Sequence, residues 1–181
     1  MTSYAVFLRA VNLGSHNKIA MPAFRAAVES LGWRGVETYV QSGNLVADAG
    51  SLRAAAVEQQ IGEILRADFG VDTDVIARTK AQLAKVAKQN PFTSQASADP
   101  TSVHVHFLAE SPPASAKRAF DPEQFDPERF EFGDRCVYFF YPGGQGRSKM
   151  AAAPWAKKLG VPGTSRNWRT VLAMLDLMAA G

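Results

Sequence analysis

The chain has 181 residues, 46% of them aliphatic, aromatic or cysteine, and a formal net charge of +3. This is enough apolar material for one large domain or two small ones, and no stretch approaches the roughly 18 uninterrupted apolar residues of a membrane helix. The single cysteine, Cys136, excludes an intramolecular disulfide and a multi-cysteine zinc site, and "MTSYAVFLRAVNLG" lacks a basic leader and a small-residue cleavage site, so a reducing, cytoplasmic setting is expected.

"SYAVFLRA" has the length and composition of a buried strand, and the polar loop "NLGSHNK" follows it. Pro22 is placed to open a helix in which Phe24, Ala27, Val28 and Leu31 recur at helical spacing until Gly32 ends it. "GVETYVQ" and "NLVAD" read as two strands around Ser42 and Gly43. Ser51 is positioned to cap a second helix with the stripe Val57, Ile61, Ile64 and Leu65, and "VDTDVIA" supplies a fourth strand. This order of strand, helix, strand, strand, helix, strand is the split βαβ arrangement of ferredoxin-like units.

Thr79 is expected to cap a connecting helix carrying Leu83, Val86 and Ala87, with Pro91 beyond it, and "SQASADP" reads as a linker. The pattern then restarts. "TSVHVHFLAE" is a strand, "PPASAKRAF" a short helix, and "RFEF" and "CVYFFY" a hairpin around Gly133 and Asp134. One helix is expected over about 149 to 159, and a last one carries Trp168, Val171, Leu172 and Leu175 on one face. The expectation is an α+β fold of duplicated ferredoxin-like halves with antiparallel sheets, residues 1–78 and 101–181, joined by a helix and linker at 79–100. The second half lacks a clear last strand and ends in helices.

Charge is uneven along the chain. Between Glu110 and Asp134 seven acids face Lys117, Arg118 and Arg129, whereas from Pro142 onward Arg147, Lys149, Lys157, Lys158, Arg166 and Arg169 face only Asp176. A basic C-terminal stretch of this kind attracts anions.

Three polar loops are candidate sites. In a split βαβ unit the first and second strands run parallel, which brings Arg9, Asn12, Ser15, His16, Asn17 and Lys18 toward Gln41, Ser42 and Asn44. These donors suit phosphate or a polar small molecule, although Gly43 with flanking Ser and Asn also satisfies a simple turn. In "YFFYPGGQGRSKM" a strand passes through a glycine-rich loop into a helix, where backbone amides and a helix N-terminus, with Arg147, Ser148 and Lys149, can hold an anion. The stretch is not a Walker loop, and Ser148 serves equally as an N-cap. In "GTSRNWRT", Thr164 or Ser165 is expected to cap the last helix and leave Arg166 and Asn167 in its exposed first turn.

"FLRAVNLGSHNKIAM", "LGWRGVETYVQSGNLV", "NPF", "VYFFYPGGQGRSK" and "LGVPGTSRNWRT" resemble the bacterial family known as domain of unknown function 1697. The resemblance covers nearly the whole chain and implies a duplicated ferredoxin-like α+β fold, with no established activity. The family pattern usually reads LRGINVGG near the start, and Ala10 and Ser15 stand here at two of its glycines. Its other signature positions fall on Arg9, Asn12, Gly14, Asn17, Gln41, Ser42, Gly43, Asn44, Ser148, Lys149, Arg166, Asn167 and Trp168.

Three functions compete. The first is a module binding a phosphate-bearing small molecule or nucleic acid through Arg9, Asn12, Asn17, Gln41, Ser42, Asn44, Arg147, Ser148, Lys149, Arg166 and Asn167. "NLVAD" lacks the aromatics an RNA-recognition sheet presents, which weakens the RNA version. The second is a small-molecule hydrolase or transferase using Ser42 or His16, although Ser42 lies outside any GxSxG elbow. The third is an interaction protein forming a homodimer through sheet faces. His104 and His106 share one strand face without an apparent third ligand, so no metal site, no cofactor and no membrane partner is expected.

Overall fold

The computed structural model describes residues 2–180. The chain divides into two compact units, one holding residues up to Lys85 together with those from Leu172, the other Val86–Val171.

The first unit runs β1 (Ser3–Leu8), α1 (Met21–Glu29), β2 (Arg34–Tyr39), β3 (Asn44–Asp48), α2 (Ala54–Phe69) and β4 (Val75–Thr79). Its sheet has the order β2-β3-β1-β4, every neighbouring pair antiparallel. Alternation along β1 turns Tyr4, Val6 and Leu8 toward the helices, where they join Leu45, Ala47 and Ala77 from the neighbouring strands. Phe24 and Val28 of α1 and Val57, Ile61 and Leu65 of α2 close this core, each buried aliphatic or aromatic side chain contributing about 1.5–3 kcal/mol. Helix α2 is not capped by Ser51. It starts at Ala54 behind Arg53, with no side-chain cap, and ends at Gly70 in the left-handed conformation that lets a helix terminate.

Helix α3 (Lys80–Lys88) begins directly after β4. The Thr79 hydroxyl accepts the Gln82 N–H (3.2 Å) and the Gln82 side chain accepts the Thr79 N–H (3.0 Å), a reciprocal capping box. The expected linker "SQASADP" is instead largely helical, α4 (Thr93–Ala98), because Phe92 and Ala96 find buried positions that hold the turn down.

The second unit repeats the plan: β5 (Val103–Leu108), α5 (Ala114–Arg118), β6 (Arg129–Gly133), β7 (Cys136–Phe140), a 3-10 turn at Gln145–Arg147, α6 (Lys149–Ala152), α7 (Trp155–Leu159), β8 (Gly163–Asn167) and the start of α8 (Trp168–Ala180), whose residues from Leu172 belong to the first unit. Its sheet, β6-β7-β5-β8, has the order of the first and is antiparallel throughout. Phe120 stacks on Trp155 with ring centroids 4.3 Å apart and anchors an aromatic core with Phe130 and Phe139.

Two expectations are corrected here. "GTSRN" is not the start of a helix: it is the fourth strand, so the second half does have a last strand. Thr and Ser are cap residues by local preference, but β5 offers an open edge, and pairing from Leu108↔Gly163 to His104↔Asn167 satisfies both backbones. The N-cap contact for α8 falls to Asn167, whose Oδ1 accepts the Thr170 N–H at 2.9 Å. The single helix expected over 149 to 159 is two short helices, since Pro154 holds Ala153 in extended backbone.

Candidate functional site

The polar edge of the first unit forms where the loop after β1 meets the turn between β2 and β3. Asn12 donates through Nδ2 to the carbonyls of Gln41 (2.8 Å) and Ile19 (3.0 Å), and its Oδ1 accepts the Ile19 N–H (2.8 Å). Asn17 donates to the Ala10 carbonyl at 3.2 Å. The fully buried Asn44 donates to the Tyr39 carbonyl (2.9 Å) and to the Ser42 hydroxyl (3.0 Å). Gly43, at φ +76, accepts the Leu8 N–H on its carbonyl, and a Cβ there would run into the Val11 and Leu8 side chains. The juxtaposition expected from topology is present for Asn12 and Gln41. The Asn12, Asn17 and Asn44 amides close the loops, however, and Ser15, His16, Asn17, Lys18 and Gln41 are exposed. Ala10 and Val40 also sit in the left-handed region, at φ +48 and +51.

Arg9 leaves this group. Its Nη1 donates to Asp74 Oδ2 at 2.8 Å, across from the start of β4. Beside this pair a cleft of 540 Å³ is lined by Arg9, Glu58, Gly62, Arg66, Asp72 and Asp74 among others. Arg66 reaches Asp72 at 3.3 Å. These charges did not emerge from the sequence as a group, although the period-two spacing of Asp72 and Asp74 in "VDTDV" was a usable signal.

In the second unit the glycine-rich stretch leaves β7 through Pro142, and the Gly144 N–H bonds the Tyr141 carbonyl at 3.0 Å. Ser148 caps α6, its hydroxyl accepting the Ala151 N–H at 2.8 Å. The same helix end receives a carboxylate, with the Met150 N–H bonding Glu128 Oε2 at 3.1 Å. The Gly144, Ser148, Met150 and Ala151 N–H groups are thus engaged internally. Arg147 and Lys149 remain exposed with no acidic partner among the described residues.

Arg166 and Asn167 are not in an exposed helical turn. Arg166 points from β8 to the face shared with Val105, is 7% exposed, and donates through Nη1 to the Thr164 hydroxyl and the Ser165 carbonyl, each at 2.8 Å. Burial alone lowers its pKa to about 10.

The opposite face of β5 and β8 collects His104, His106, Ser165 and Asn167. His106 Nδ1 lies 2.8 Å from Ser165 Oγ, and its ring occupies space that a Cβ on Gly163 would fill. His104 is buried edge-on against Tyr141, and its Nδ1 has no hydrogen-bond partner. Burial pulls its pKa down to about 4, opposed by Asp99 and by a side-chain bond to Gln145, so the imidazole is neutral at neutral pH. No group of three or more His, Cys, Asp or Glu able to hold a metal occurs among the described residues. None of the described helices is long and apolar enough to cross a membrane.

A conserved bacterial protein from Streptococcus pneumoniae, SP0830, has a solved structure similar to this one, with a TM-score of 0.77 at 18% identity over 98% of each chain, a likeness of fold. No curated protein matches the sequence. The model of the family described as "Protein of unknown function (DUF1697)" matches residues 1–138, more than half of the chain, and the protein therefore belongs to that family.

Proposed function

We propose that the protein is a cytoplasmic binding module for a phosphate-bearing ligand, a nucleotide or a nucleic-acid backbone, held at the glycine-rich loop of the second unit. The observation that carries this reading is the pair Arg147 and Lys149, exposed beside Gly143, Gly144 and Gly146 and free of acidic partners among the described residues. Unneutralised cations flanking a loop of small residues meet phosphate oxygens in charge-assisted hydrogen bonds without first breaking an internal pair. The polar edge at Asn12, Gln41, Ser42 and Asn44 is the weaker partner, because the side-chain amides of Asn12 and Asn44 are committed to backbone carbonyls. Ser148 contributes by shaping the loop.

Calorimetric titration with nucleoside mono-, di- and triphosphates and a short single-stranded oligonucleotide tests the proposal. Saturable binding that weakens at least about tenfold in the Arg147→Ala/Lys149→Ala double variant, and with rising salt, is the expected result. No binding across the panel, or binding unchanged in the double variant, overturns it.

A further inference from the structure

We propose that the cleft beside α2 in the first unit binds a small zwitterion of the α-amino acid class, its carboxylate on the Arg9 and Arg66 guanidinium groups and its ammonium on Asp72 and Asp74. At 540 Å³ the cleft is in the size range of small-molecule sites. Both of its ion pairs are single contacts: one Nη1 of Arg9 to one oxygen of Asp74 at 2.8 Å, and one Nη1 of Arg66 to one oxygen of Asp72 at 3.3 Å. A guanidinium carries five N–H donors and a carboxylate two acceptor oxygens, so each arginine keeps donors, and each aspartate an oxygen, for a ligand. Exposed pairs of this kind are worth only about 0–1 kcal/mol, so a ligand reorganises them cheaply.

The balance of charge selects the ligand class. Carboxylates from Glu58, Asp72 and Asp74 outnumber the two guanidinium groups, which disfavours phosphate or a dicarboxylate, and the arginines disfavour a polyamine. A molecule with both signs at short separation meets both. Gly62 stands one turn before Arg66 on α2. A glycine inside a helix costs about 1 kcal/mol relative to alanine, and this one lies under the Arg66 guanidinium, whose Nη1 is 3.4 Å from the position a Cβ would take. The guanidinium folds back along the helix, toward the cleft that both residues line.

The test is calorimetric titration of the intact protein with the free amino acids, with inorganic phosphate, succinate and spermidine as single-sign controls. The expected result is saturable binding by at least one amino acid, and no binding of any control that depends on Arg66 or Asp74. Arg66→Ala and Asp74→Asn should each weaken that binding at least tenfold, while Arg147→Ala leaves it unchanged; both altered side chains are exposed, and circular dichroism with the melting midpoint confirms folding. Should a variant lose its fold, Arg66→Lys and Asp72→Asn replace it with the same expected loss. Binding by phosphate, succinate or spermidine through Arg66 or Asp74, amino-acid binding indifferent to these changes, or none at all overturns the proposal.

Discussion

Arg78 and Arg166 hold the same place in the two sheets. Arg78 pairs across from Ala5 of β1 and Arg166 from Val105 of β5, each is buried, and each donates through Nη1 to the carbonyl of the residue before it, at 2.9 and 2.8 Å. A duplicated strand position thus keeps one side chain and one contact, which points to a structural role in each half. Arg166→Ala should lower unfolding free energy by about 2–4 kcal/mol, since it leaves the Thr164 hydroxyl and Ser165 carbonyl without their donor, and chemical denaturation reads the loss. Ligand affinity at the Arg147 loop should stay within twofold in whatever fraction remains folded.

His104 should make stability depend on pH. Its folded pKa, about 4, lies below the ordinary histidine value of 6.5, so between these two the unfolded chain binds the extra proton. Stability is therefore complete above about pH 6.5 and declines as pH falls toward 4, by up to about 3 kcal/mol. Urea denaturation of wild type and His104→Phe across pH 4–7 checks it: the variant should show a flatter slope in this window.

The polar edge separates a structural amide from a dispensable hydroxyl. Asn12 satisfies three backbone groups, so Asn12→Ala should cost about 2–3 kcal/mol and loosen the loop to Ile19, which hydrogen exchange at the Ile19 amide would report. Ser42→Ala should cost under about 1 kcal/mol, because Asn44 keeps its bond to the Tyr39 carbonyl.

Val40 carries backbone strain on an exposed turn. A β-branched residue at φ +51 is disfavoured, and its side chain remains 52% exposed, so packing does not compensate. Val40→Asn should raise stability by about 1 kcal/mol, seen as a higher melting midpoint, since asparagine tolerates the left-handed region.

The local signals that survived were those with a strong period or a geometric demand. β1, α1, α2 and β7 followed apolar spacing, the Thr79 cap followed its own capping box, and Gly43 marked a turn that only glycine fits. "GTSRN" failed because Thr, Ser and Asn have the same local preference at a helix start and in a strand edge; the open side of β5, more than fifty residues away, decided between them. Arg166 shows the consequence, since a guanidinium assigned to a solvated helical turn is buried once its segment becomes a strand.

The candidate sites divide in the same way. Sequence alone determined the repeated strand and helix plan, the meeting of the loop after β1 with the β2–β3 turn, and the glycine-rich exit from β7, because these depend on periodicity and on the parallel direction of β1 and β2. Only tertiary structure decided that Arg9 turns to Asp74, that Glu128 supplies the anion at the start of α6, and that His106 meets Ser165. Each of these is a contact between residues far apart in the chain, and a side chain's partner is selected by which strands and loops the sheet order brings within about 3 Å of it.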